Sequence, residues 1–188
     1  MSGLCLDEEL EELVAAMTSD DGSDLVRVDR LINRYPDDPR LQFLRGSILA
    51  GIGRPIEALP ALQRAVDLAP DFAIARFQLG FFQLTSGEAA NALGTWGPLA
   101  LLPDDHYLRK FVTGLTYLIR DEFRDAERLL KEGIVANTEN SPLNRDMQLI
   151  VEQIGQLLKS ESATPTGEAS ASATSFLLDQ LSNRGTRH

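Results

Sequence analysis

Residues 70–103 read PDFAIARFQLGFFQLTSGEAANALGTWGPLALLP, and their landmarks recur on both sides at a fixed interval. Gly80 is flanked by Gly46 and Gly114, each 34 residues away. Ala92 lies between Ala58 and Ala126 at the same interval, each alanine 12 residues after its glycine. Gly87 is matched by Gly53 and Asp121. Pro70-Asp71 is matched by Pro36-Asp37 and by Pro103-Asp104, the last pair arriving one residue early. Four markers in one register define an internal repeat, and its length suits two helices of about four turns joined by short turns.

Each marker has a physical reason. The glycine at 46, 80 and 114 and the alanine at 58, 92 and 126 suit points where paired helices approach closely. Gly53, Gly87 and Asp121 fall where the first helix of each pair must end, in a slot that favours a left-handed backbone. Pro-Asp is expected to close the second helix and to offer its aspartate as the N-cap of the next. The expected fold is all-α, with antiparallel helix pairs from about Asp38 onward.

These residues resemble the tetratricopeptide-repeat family, whose pattern runs W-x2-L-G-x2-Y, A-x3-F, P. Leu79-Gly80 supplies the L-G pair, Gly114-x2-Tyr117 the G-x2-Y, and Ala92-x3-Trp96 an aromatic form of A-x3-F. Ala58-x3-Leu62 and Ala126-x3-Leu130 are aliphatic forms, and the large residue four before the glycine is replaced by Gln42, Arg76 and Lys110. The resemblance covers three units, residues 38–138. It implies a helix-turn-helix solenoid, a right-handed superhelix of antiparallel pairs, with a capping helix at the C-terminal end.

The resemblance also implies that the first helices line a concave groove. On this sequence that groove takes Phe43 and Ser47, then Ile74, Phe77, Phe81 and Leu84, then Leu108, Phe111, Leu115 and Leu118. Phe43, Phe77 and Phe111 are 34 apart and would form a ladder. The alternative is that these stripes face partner helices and are core. Leu79, Gly80, Phe82, Gly114 and Tyr117 are the residues more naturally assigned to that packing. Some family members grip acidic tails with lysine, asparagine and arginine. Here those places hold Phe43, Ser47, Gln78, Leu108 and Val112, which suits an apolar helical or extended ligand instead.

Both flanks read as partial units. Within residues 1–37, an acidic helix from about Leu6 to Met17 would pair with a second over residues 23–35. Over residues 139–159, Ser141 and Pro142 start a capping helix whose stripe is Leu143, Met147, Ile150, Ile154 and Leu157. Residues 160–174 form a linker of small residues. Residues 175–188 carry a short apolar motif of Phe176, Leu177, Leu178 and Leu181. Pro60, and Gly94 with Gly97 and Pro98, disfavour straight second helices in the first two units.

Composition narrows the class. The chain is 43% hydrophobic with a formal charge of -10, which disfavours nucleic acid and anionic membranes as partners. No apolar run spans a bilayer, the start lacks the marks of an export signal, and Cys5 is the sole cysteine. The expected address is the cytoplasm, with a reduced thiol. His106 and His188 are the only histidines, and no metal-ligand cluster, phosphate loop or nucleophile elbow is present. The expectation is a non-enzymatic binder without cofactor, an adaptor or chaperone-like module for an apolar segment of another protein. The alternatives are a self-assembling scaffold that uses the same surfaces and a secretion chaperone of the tetratricopeptide type. An enzyme would need a convergent polar pocket.

Overall fold

The computed structural model describes residues 3–17 and 22–163. Those residues form nine α-helices and no strand: α1 Asp7–Ala16, α2 Asp24–Arg34, α3 Pro39–Gly51, α4 Pro55–Leu68, α5 Ala73–Thr85, α6 Ala89–Trp96, α7 Tyr107–Ile119, α8 Phe123–Ala136 and α9 Ser141–Ala163. None is long and apolar enough to cross a membrane. Two compact units divide them, one running to Phe82 and the other from Gln83, with the boundary inside α5.

The helix bounds repeat with the sequence. α3, α5 and α7 each hold 13 residues, and α4, α6 and α8 each begin four residues after the preceding helix ends. Each connecting turn closes in the same way. Gly53, Gly87 and Asp121 take φ of 72°, 84° and 59°. The following residue, Arg54, Glu88 or Glu122, donates its N–H to the carbonyl five positions back, at Leu49, Gln83 or Tyr117, over 2.8–3.0 Å. The left-handed residue itself donates to the carbonyl three back, at Ala50, Leu84 or Leu118. Three such C-caps satisfy the orphan carbonyls that a helix end leaves behind.

Within each unit, small residues set the helix spacing. A Cβ on Gly46 would stand 2.6 Å from Leu62 Cγ of α4, and one on Gly114 would stand 3.0 Å from Leu130 Cγ of α8. Gly133 of α8 lies against the Phe111 ring of α7 at 2.5 Å by the same construction. Moving three residues back on α7 therefore moves three forward on α8, so the pair is antiparallel. Ala58, Ala92 and Ala126 are fully buried, as is Trp96, which takes the slot held by Leu62 and Leu130.

Several local expectations change. The aspartates of Pro-Asp are not the N-caps. Pro36-Asp37 and Pro70-Asp71 fill the middle of turns closed by Asp38 N–H to Tyr35 O and by Phe72 N–H to Ala69 O. Proline suits the second position of such a turn, and α3 is capped by Asp38, whose carboxylate accepts from Arg40 N–H at 2.9 Å. At the third turn His106 caps α7 through Nδ1, which accepts from Leu108 N–H at 3.1 Å. Gln42 and Arg76, standing where the family has a large apolar residue, donate their side chains to Pro36 O and Pro70 O.

α4 continues through Pro60. That proline is exposed, so the carbonyl deprived of its partner can face water. α6 does stop early, giving way to a 3-10 segment at Gly97–Leu101 where Gly97 and Pro98 fall. α9 starts after Asn140, whose side chain accepts from Leu143 N–H, and not after Ser141. It runs to Ala163, four residues into the stretch read as linker. Its stripe of Leu143, Met147, Ile150 and Ile154 is buried. Buried Asn137 ties α8 to α9 by donating to Asn140 O and Asn144 Oδ1 and accepting from the Glu139 and Asn140 N–H groups.

Candidate functional site

The ten residues of the expected groove do not share one environment. Phe77, Leu84, Leu108, Phe111, Leu115 and Leu118 are at most 1% exposed. The reading of these six as ligand-facing is therefore corrected, because no surface is left on them for a partner to meet. For Phe111 the reason is visible: its ring fills the notch that Gly133 leaves in α8. Its counterpart Phe43 packs on the cluster of Leu62, Ala65, Val66, Ala75 and Leu79. Phe111 is thus turned toward the second helix of its own pair, and Phe43 toward α4 and α5. Leu79, Gly80 and Gly114 are buried as expected, whereas Phe82 and Tyr117 are only half-buried.

Four of the ten keep some exposure: Phe43, Ser47, Ile74 and Phe81. All belong to the first unit, on α3 and the first ten residues of α5. Phe43 meets Phe72 edge-on at 5.4 Å, and Phe81 stacks on Phe77 at 6.0 Å between ring centres. Ser47 Oγ lies buried without a hydrogen-bond partner. These half-exposed aromatic residues give the first unit part of its apolar surface. The motif Phe176, Leu177, Leu178 and Leu181 lies outside the described residues.

In the second unit a shallow cleft of about 270 Å³ opens at the start of α7, lined by Asp105, His106, Tyr107, Thr138 and Glu139 among others. Burial first, and then the Glu139 carboxylate, raise the Tyr107 phenol above its ordinary value. His106 is occupied as a helix cap and stacks on Tyr107 at 4.9 Å. Among the described residues no three His, Cys, Asp or Glu side chains are grouped to hold a metal.

The densest polar node was not anticipated. Asp38 is fully buried, and its carboxylate accepts from Cys5 N–H at 2.8 Å and from Arg40 Nε at 3.1 Å and Nη2 at 2.8 Å. Arg40 also donates to Cys5 O at 2.6 Å and to Asp7 at 2.7 Å. Burial alone would raise the Asp38 carboxyl. The Arg40 guanidinium, the two N–H donors and the Arg40 charge outweigh that and hold it below the usual range. Cys5 itself is a buried free thiol. The signal that could have found the cap is Asp38-Pro39, an N-cap followed by proline at the first helical position. The long-range partners of that cap had no sequence signal. Comparison with family models and with curated proteins finds no match to this chain.

Proposed function

We propose that this chain is a tetratricopeptide-type repeat module that binds an apolar helical or extended segment of another protein, as an adaptor or chaperone-like factor of the cytoplasm. The observation that carries the reading is the agreement of helix bounds, left-handed turn residues and glycine contacts on one 34-residue register. Such repeats present surfaces more readily than enclosed pockets. The ligand face is the partly exposed set of Phe43, Ile74 and Phe81, where aromatic area gained on burial supplies affinity. The buried Phe77 and Phe111 take no part in it.

The test is a display library of amphipathic helical and extended apolar peptides selected on the full chain, with affinities measured in solution. The double substitution Phe43→Glu and Phe81→Glu should weaken the selected peptides by about ten-fold or more, with the thermal midpoint kept. Unchanged affinity would remove this face from the proposal.

A further inference from the structure

Helix α1 reads DEELEELVAA, with five carboxylates in ten residues. Asp7 and Glu11, and Glu8 and Glu12, stand four apart and repel along the helix surface. Leu6 at the N-cap offers no side-chain acceptor, and the last turn has no basic residue. A helix this short does not hold itself together in water. Its existence depends on where it lies.

It lies on α2 and α3. Cys5, Leu10, Leu13 and Met17 form one cluster with Val28 and Leu41, flanked by Leu31, Ile32, Leu44 and Ile48. The rim of that trough is basic and fits the acidic helix. Arg34 pairs with Glu9 at 2.5 Å, Tyr35 donates to Glu9 at 2.8 Å, and Arg40 pairs with Asp7 at 2.7 Å. Long-range pairing is not confined to this rim, since Arg45 of α3 reaches Asp29 of α2 and Arg64 of α4 reaches Asp37. Arg34 and Arg40 reach Glu9 and Asp7, 25 and 33 residues away, while Arg40 also stays paired with the Asp38 cap of its own helix.

We propose that the trough between α2 and α3 is a docking surface for an acidic amphipathic helix of a partner protein, and that α1 is its displaceable occupant in cis. α2 and α3 pack on each other without α1, whereas α1 is held only by this trough, through the apolar cluster and the bonds of Cys5, Asp7 and Glu9. Once open, the trough exposes apolar area beside Arg34 and beside the Arg40–Asp38 pair, where Arg40 Nη1 is left without Asp7. A ligand of the same chemistry recovers both. α1 therefore lowers the partner's apparent affinity by the fraction of chains in which it is released. This surface is distinct from the aromatic face of α3 and α5, and its test does not depend on that face.

Cys5 is the sole thiol and is buried at this contact, so its labelling rate reports release of α1 in the unaltered chain. Burial first, then the Glu9 and Asp38 carboxylates, raise that thiol and keep it slow while α1 is docked. The probe is a synthetic peptide of residues 3–17 with serine replacing Cys5. At saturation it should accelerate labelling of Cys5 in the full chain by about ten-fold or more. It should also bind a full chain carrying Leu10→Glu and Leu13→Glu about ten-fold more tightly than the wild type. Equal binding to both chains, unchanged labelling with the peptide bound, or no binding to either overturns the proposal. Where the doubly substituted chain loses its cooperative thermal transition, the labelling arm on the wild type decides alone. Labelling that rises with protein concentration in step with dimer formation identifies α1 of a second copy as the occupant and overturns the partner reading.

Discussion

Glycines in this chain divide by what surrounds them, and the division predicts opposite signs for one substitution. An added Cβ at Gly46 would meet Leu62 Cγ at 2.6 Å and the Leu62 backbone nitrogen at 3.0 Å, so the helix pair must part. Gly46→Ala should cost about 1–3 kcal/mol from overpacking, less up to about 1 kcal/mol from improved helix propensity. Gly155, inside α9, has nothing within 4 Å of the same position. Gly155→Ala should stabilise by about 0.5–1 kcal/mol. Urea midpoints of the two variants moving the same way would refute this assignment of close contacts. The Asp38 node makes a second prediction. Its carboxyl is depressed in the folded chain. Its contribution is therefore complete above the unfolded value near pH 4 and is lost as the pH falls through the folded one. Asp38→Ala strands Cys5 N–H and leaves Arg40 only Asp7 and Cys5 O, and with Arg40 partly solvated the cost at pH 7 should be about 3 kcal/mol or less. The gap in thermal midpoint between wild type and variant should narrow as the pH drops below about 4. A constant gap would show the carboxylate to be unimportant.

Pro60 shows how far a helix can be read from its own residues. A proline in the sixth position of α4 argues for a break, yet the helix runs on to Leu68 because its inner face is anchored by Ala58, Ala61, Leu62 and Ala65. Packing on α3 supplies more than the missing hydrogen bond costs. Pro60→Ala should accordingly stabilise, by about 3 kcal/mol for an interior proline less up to about 1 kcal/mol for the freer unfolded chain. A lowered thermal midpoint would mean that the proline fits its site. In α6 the glycines and proline do end the α-helix at Trp96, and the chain keeps its inner contact through buried Leu99 of the 3-10 segment that follows. Breaker signals thus have opposite outcomes in α4, with its single Pro60, and in α6, where Gly94, Gly97 and Pro98 act together.

The chain carries a formal charge of -10, and among the described residues most ion pairs are exposed or bridge one turn of a helix. Such pairs contribute little each, while the excess of carboxylates repels throughout. Raising the salt from about 10 mM to about 300 mM shortens the Debye length from roughly 30 Å to less than 10 Å. The thermal midpoint should rise, by about 2–4 °C for each kcal/mol of repulsion relieved. A fall would place more weight on the Arg34, Arg40 and Lys110 pairs than on net charge.

Period, helix pairing and the left-handed turns at Gly53, Gly87 and Asp121 were legible in the sequence, because each is imposed by a residue's own backbone freedom or size at a fixed spacing. Which face of each first helix meets solvent was not legible. Phe43, Phe77 and Phe111 occupy equivalent positions, yet Phe43 keeps part of its surface while the other two lose theirs. Exposure depends on every element that packs against a residue, and periodicity records only that a face is apolar. The Asp38 node is the plainest case. Its N-cap role is local and readable from Asp38-Pro39, but the strap at Cys5, 33 positions earlier, exists only once α1 lies across α3. Hydrogen bonds between segments so far apart leave no spacing rule in the chain.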